Sequence, residues 1–262
     1  MELRKEEEIS HYNELARIWQ DKHLGGKEWA IDIEDYDVYI FSSYRFCRDW
    51  FEKNIKKEMK FLDYGCGHGM HSILPAKLGA EVYGIDLSEE SLKIAKKRAQ
   101  DEKVSDKIKF LKMDCEKLEF PDNYFDLIWD SGTFSSIDIN KAYSELHRVL
   151  KPEGKIIGLE TFGHNPLMNL KRFINKKTGK RTEWAASHIM KMKDLKSAKK
   201  YFDSVETKFF HLFSMLIFPF RRLPLMKRIF NLLDKFDSIL LKIPFLKKYA
   251  FKVVFIFSHP LK

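Results

Sequence analysis

Phe61-Leu62-Asp63-Tyr64-Gly65-Cys66-Gly67-His68-Gly69 is a short apolar run that breaks into three glycines spaced by two. A second apolar run, Glu81-Val82-Tyr83-Gly84-Ile85-Asp86, ends on an acid. The first pattern reads as a strand entering a tight turn, with a helix after it. Glycine tolerates positive φ and lets a ligand approach the main chain, and free N–H groups at a helix start suit a negatively charged ligand group. An acid about 20 residues past such a turn, at the end of the next strand, can accept hydrogen bonds from both hydroxyls of a ribose. That role falls to Asp86. A dinucleotide fingerprint would place its third glycine at position 70, but Met70 stands there and the glycine comes one place early, at Gly69. The spacing therefore points to a nucleoside ligand without a pyrophosphate.

Working outward, strands are expected near 60–64, 81–86, 107–113, 124–130 and 154–160, with helices near 69–79, 88–101 and 138–149 between them. Ser88, Glu90 and Ser91 supply a helix start, and Lys151-Pro152-Glu153-Gly154 reads as a turn from helix to strand. Alternating βα units of this length imply a parallel sheet with helices on both faces. Upstream, residues 9–30 and 42–57 read as two helices. Downstream, residues 161–185 are polar and read as a loop with short helices. A helix near 192–201 and strands at 204–213 and 250–258 follow. The stretch between those last strands is too long for a hairpin. Its residues 216–248 are rich in Leu, Ile and Phe and carry 8 Lys/Arg against 2 Asp/Glu. Pro219, Pro224 and Pro244 break it, so its longest helix-compatible piece runs from Leu225 to Ile243.

In motif order over residues 55–160 the chain resembles the class I S-adenosylmethionine-dependent methyltransferases, whose first motif is an acid followed by G-x-G-x-G. The resemblance implies an α/β, Rossmann-like, doubly wound sheet of seven mostly parallel strands, helices on both faces, and here a helical cap or insertion. It divides the chain into an N-terminal helical lid (1–57), a cofactor-binding core (58–215), a basic amphipathic insertion (216–248) and the last core strand (249–262). It implies S-adenosylmethionine as cofactor. Asp63, Gly65, Gly67 and Gly69, with Cys66, would cradle its methionine end, and Leu87 would pack on the adenine. Asp114, in Lys112-Met113-Asp114-Cys115, would accept from the adenine amino group beside Met113 and Cys115. Asp130, closing Phe125-Asp126-Leu127-Ile128-Trp129-Asp130, stands between a ligand contact and a helix cap.

Glu160, Thr161 and His164 follow the fifth strand, where substrates border open sheets. His164 is the candidate general base, with Tyr12, His11 and Tyr44 as rivals on the lid. His68 and His71 lie three apart, as on one helix face, but no third ligand at a telling spacing accompanies them. They read as first-turn polar residues and no metal is expected.

Charge is uneven. The net +9 comprises 23 Lys/Arg against 30 Asp/Glu in residues 1–150 and 24 against 8 in residues 151–262. A basic half favours an anionic partner such as lipid headgroups, a phosphorylated substrate or nucleic acid. Cys47, Cys66 and Cys115 are widely spaced and form no C-x-x-C pair, which suits a reducing cytoplasm. There is no 18-residue apolar run and no apolar leader after Met1, so neither a transmembrane helix nor a signal peptide is expected. Gly163-His164-Asn165-Pro166 and the basic insertion resemble uncharacterised small-molecule methyltransferases. The expected activity is methyl transfer to an O or C atom of a small lipid-like or polyprenyl-linked acceptor, by a cytoplasmic enzyme whose residues 216–248 either meet a membrane surface or cap the domain with their apolar face. The base-amino-methylating N-P-P-Y motif is absent, with Asp130-Ser131-Gly132-Thr133 in its place. RNA methylation and a non-catalytic cofactor-binding protein are the alternatives.

Overall fold

The apolar runs become adjacent strands. In the computed structural model, which describes residues 2–23, 42–177, 182–220 and 223–261, β1 (Lys60–Tyr64), β2 (Glu81–Asp86), β3 (Ile108–Lys112), β4 (Phe125–Asp130) and β5 (Leu150–Thr161) lie parallel. Then β6 (Phe202–Phe210) and β7 (Lys252–Pro260) complete one seven-stranded sheet in the order β3-β2-β1-β4-β5-β7-β6. Strand β7 runs antiparallel to both of its neighbours, β5 and β6. The order reverses at β1, so the crevice outside the carboxyl ends of β1 and β4 is where such sheets bind ligands.

Side chains alternate across each strand, which divides the core into two layers. Leu62, Tyr64, Ile128, Ile156 and Phe255 fall in one. Phe61, Val82, Leu127, Trp129 and Ile157 fall in the other. At Gly158 the antiparallel partner is Phe255, whose ring would lie 2.0 Å from an added Cβ. The glycine is what lets that ring cover the β5 backbone.

The helices are α1 (Leu3–His23), α2 (Ser42–Asn54), α3 (Met70–Lys77), α4 (Glu89–Asp101), α5 (Ile139–Val149), α6 (Pro166–Lys177), α7 (Glu183–Ser187), α8 (Met192–Ser197) and α9 (Met226–Leu240). Caps explain several starts. Ser88 Oγ accepts from Ser91 N–H before α4, and the Asp138 carboxylate accepts from Asn140 N–H before α5. Among the described residues no helix is long and apolar enough to cross a membrane.

Some expectations are corrected. Lys151-Pro152-Glu153-Gly154 is no free turn. Leu150 already pairs with Phe125, the chain bulges, and pairing resumes at Lys155 opposite Leu127. The polar stretch after β5 holds a twelve-residue helix, α6, opened by Pro166, whose missing N–H costs nothing at a first helical position. The N-terminal helix starts at Leu3, six residues before the expected point, and the part of its expected span beyond His23 lies outside the described residues. Strands β6 and β7 are displaced about two residues from the sequence reading. His211, at φ 63°, turns the chain out of β6 before the expected end.

Candidate functional site

The ends of β1, β2, β3 and β4, with α1 across them, build a cavity of about 600 Å³. After β1, Gly65, Gly67 and Gly69 all take positive φ (69°, 49° and 70°), which an L side chain adopts only at a cost. A Cβ on Gly65 would stand 2.2 Å from Thr133 Oγ1, whereas one on Gly67 would meet nothing within 4 Å. The Gly67 main chain is therefore open toward the cavity.

Asp86, at the end of β2, projects into the same space. Its Oδ1 accepts from Ser88 N–H at 2.8 Å and its Oδ2 from Gly67 N–H at 2.9 Å. Burial raises its pKa, and the N–H groups of Ser88, Gly67 and Leu87 pull the other way. The carboxylate is thus fixed in direction by main chain before any ligand arrives. Leu87, Cys66, Cys115 and Ile137 add apolar wall, and Ser131, Gly132 and Thr133 close the side toward β4.

The far wall comes from α1, whose Lys5, Tyr12 and Trp19 line the cavity. Lys5 Nζ donates to Asp114 Oδ2 at 2.7 Å and lies 2.9 Å from Glu116 Oε2. Burial works against the ammonium, yet the two carboxylates hold its pKa above the ordinary value. Arg4 pairs with Glu116 and stacks over the Trp184 ring at 4.6 Å. Tyr12 Oη meets Ser136 Oγ at 3.1 Å, and Ser88 Oγ donates to Asn13 at 2.8 Å. These contacts tie α1 across the mouth of the site.

Of the residues expected from sequence, the structure brings Gly65, Cys66, Gly67, Asp86, Leu87, Asp114 and Cys115 to the cavity. It does not bring Asp63, Gly69, Met113, Asp130 or His164 there. Asp63 shares the inward side of β1 with Phe61, is 2% exposed, and accepts from Ser72 Oγ at 2.6 Å. Gly69 serves packing instead, since a Cβ there would press on Ala95 and Phe110 at 2.8 and 3.0 Å. Met113 is buried in the core beside Tyr64, its sulfur taking the Glu119 N–H.

Asp130 is fully buried, caps Thr133 N–H at 3.3 Å, and is driven well above the ordinary carboxyl range by burial and by Glu160. Glu160 in turn accepts from Phe134 N–H at 2.9 Å. The two carboxyls therefore hold the 131–134 turn from behind.

His164 sits against the Phe162 ring, its Nε2 accepting from Met192 N–H at 3.4 Å, away from the cavity. Burial and the nearby Lys191 and Lys248 lower its pKa. Of the rival bases, Tyr12 lies in the wall, and Tyr44 reaches Ser131 Oγ at 3.3 Å. The paired histidines do not share a first turn. His68 belongs to the glycine turn, and His71 lies inside α3, its ring 5.5 Å from Tyr44 and 5.2 Å from Trp129. Burial and Arg98 bring them down to about 4 and about 3, so both are neutral.

The contribution of α1 was not foreseen in residue detail. Arg4 and Lys5 lie in a run of acids, and nothing local marks partners more than a hundred residues away.

Asp63 carries a pH signature. Burial, together with the Asp86 charge, pushes its carboxyl from 3.8 up to about 7, against the Ser72 hydrogen bond. A raised carboxyl stabilises the fold in its protonated form below pH 3.8, and that contribution is lost as the pH climbs through about 7. Asp63→Asn keeps an acceptor for Ser72 and removes the titration. Its thermal midpoint should change less than the wild type's across this interval; equal profiles in a pH-resolved melting series would reject the assignment.

A doubly wound sheet with a glycine turn and a strand-end carboxylate at its switch point is the arrangement that the resemblance to class I S-adenosylmethionine-dependent methyltransferases implies. Residues 62–158 match the family described as "Methyltransferase domain". The chain is 41% identical over 102 residues to sterol 24-C-methyltransferase ERG6B of Gibberella zeae, covering 38% of this chain and 27% of that protein. It is 35% identical over 132 residues to the ubiquinone/menaquinone biosynthesis C-methyltransferase UbiE of Rickettsia bellii, covering 47% and 53%. The chain thus spans between about a quarter and a half of the length of these curated relatives. Its fold is similar to that of Haemonchus contortus phosphoethanolamine N-methyltransferase 2 (TM-score 0.58, 19% identity, 82% of this chain and 53% of that one). It is also similar to the geranyl diphosphate C-methyltransferase of Streptomyces coelicolor A3(2) (TM-score 0.55, 13% identity, 82% and 76%).

Proposed function

We propose that this chain transfers the methyl group of S-adenosylmethionine to an O or C atom of a small lipid-like or polyprenyl-linked acceptor. The observation that carries the reading is the Asp86 carboxylate, held by two N–H groups, one of them from the adjoining glycine turn, at the edge of the cavity. A nucleoside fits that pairing. Gly65, Gly67 and Asp86 would hold the cofactor, with Leu87, Cys66 and Cys115 beside its base.

When bound, the cofactor supplies an already activated methyl group, so the protein's task is alignment and exclusion of water. The ties from α1 to Asp114, Glu116 and Ser136 close the site. Because Lys5 occupies Asp114, an adenine contact through that carboxylate requires the Lys5 pair to loosen. Tyr12 is the hydroxyl best placed in the wall to hold a proton. The lipid-like acceptor is supported by relatives named as sterol and ubiquinone/menaquinone C-methyltransferases. The buried, unbridged Cys47, Cys66 and Cys115 suit the cytoplasm, and residues 216–248 are the part that meets a membrane surface.

Incubation with methyl-labelled S-adenosylmethionine and a total lipid extract should move label into the organic phase. Cofactor binding without any such transfer, across lipid and water-soluble acceptors alike, would overturn the reading.

A further inference from the structure

The outer surface of α9 is apolar where a domain core would be expected to cover it. Leu232, Phe236 and Ile239 are 67, 50 and 62% exposed, and Ile229 is 37% exposed. At roughly 100° per residue these four fall on one stripe of the helix. The roll that exposes them is imposed by polar contacts on the opposite side. Asp237, 1% exposed, accepts from the N–H groups of Leu212, Phe213 and Ser214 at 2.8–2.9 Å. Asp234 accepts from Ser42 Oγ at 2.8 Å and faces His211 Nδ1 at 3.4 Å. Burial would raise the Asp234 carboxyl, but His211, Ser42 and Arg45 hold it below its ordinary value. Phe230 completes the inward face at 1% exposure.

This arrangement has an electrostatic consequence. Asp234 and Asp237 are the only acids in α9, and both are turned inward and engaged by the domain. Arg228 and Lys235, both exposed, flank the apolar stripe, and the exposed Lys242 follows just beyond the helix. A face that is greasy along its middle, cationic along its flank and empty of anions is complementary to an anionic lipid surface. It is poorly complementary to a second copy of itself, which would set cation against cation.

We infer that the outward face of α9, held in position by Asp234 and Asp237, seats the protein on anionic bilayers. The inference deepens the lipid-like-acceptor reading and rests on it for its purpose, though not for its geometry.

The test is pelleting of the purified full chain with vesicles of phosphatidylcholine alone and with equimolar phosphatidylglycerol. Binding should need the anionic lipid and weaken with salt. Combining Leu232→Ser, Phe236→Ser and Ile239→Ser should lower vesicle affinity about tenfold or more. Combining Arg228→Ser and Lys235→Ser should lower it by roughly tenfold through charge alone. Calorimetric cofactor affinity should not move in either variant, because no residue of α9 lines the cavity, and both should still melt cooperatively.

Equal binding to both vesicle types, no binding, or full binding by both variants would overturn the inference. So would a wild-type dimer in ultracentrifugation that the apolar variant dissolves while vesicles capture neither, since the face would then join two copies. Failure here with label still entering lipid would leave the proposed activity standing. Vesicle binding with methyl transfer only to a water-soluble acceptor would do the reverse.

Discussion

Asp86→Ala should weaken S-adenosylmethionine binding by about 2–4 kcal/mol, the expected loss of two hydrogen bonds to a charged acceptor, or roughly 30- to 700-fold in Kd. Titration calorimetry reads it directly. The size follows from how the carboxylate is kept. It is half-buried, where a charge costs more than in water, and the Ser88 and Gly67 N–H groups aim it before the ligand comes. Little of the interaction is then spent on ordering the side chain. Alanine also releases those two N–H groups, so a second variant is needed. Asp86→Asn keeps an oxygen for Ser88 but replaces one ribose acceptor with a donor. It leaves only the Gly67 N–H without its acceptor, so it should still fold cooperatively while losing at least about tenfold in affinity. If both variants bind as the wild type does, the cavity does not take a ribose at Asp86, and the cofactor assignment falls with it.

Much of the site could be read from the sequence because it rests on local chemistry. A glycine turn and a strand-end acid leave a mark in a few neighbouring positions, and Gly65, Gly67 and Asp86 stand where that mark puts them. What escaped was decided at long range. The acid of the glycine motif, Asp63, has the type and spacing of a ligand contact, yet the side of β1 on which it falls sends it to Ser72. Asp130 was ambiguous because its cap, Thr133, is local and its coupled partner, Glu160, is a strand away. His164 had suitable chemistry at a suitable strand end, but the turn after β5 carries it to Met192. The α1 ion pairs were illegible for the opposite reason. Glu116 looks like one more surface acid until the fold packs Arg4 and Lys5 against it. In the sheet itself, the alternating βα rhythm gave the parallel part. The bulge at 151–154 did not show, because a Pro-Glu-Gly sequence is equally at home in a turn.

Removal of the Asp237 carboxylate should cost the fold about 3 kcal/mol, a fall of roughly 6–12 °C in melting midpoint for a chain of this size. One carboxylate satisfies three consecutive main-chain N–H groups at the end of β6, where His211 leaves the strand at positive φ. Such a run of N–H groups forms a small anion-binding concavity, and α9 fills it with its own side chain. In Asp237→Ala the Ser214 N–H, in a fully buried residue, has no water to turn to, while those of Leu212 and Phe213 regain some. That is why the expected cost stays near that of one or two unsatisfied buried donors. Asp237→Asn retains one carbonyl oxygen and should fall between. Hydrogen exchange adds the location. Amides of 226–240 should open in the alanine variant while those of β1, β2 and β4 keep their protection relative to global unfolding. Cofactor affinity should survive, since no residue of α9 lines the cavity. An unchanged melting midpoint would mean that the helix is held by its apolar inward face alone. The carboxylate would then have no part in setting which stripe of α9 meets solvent.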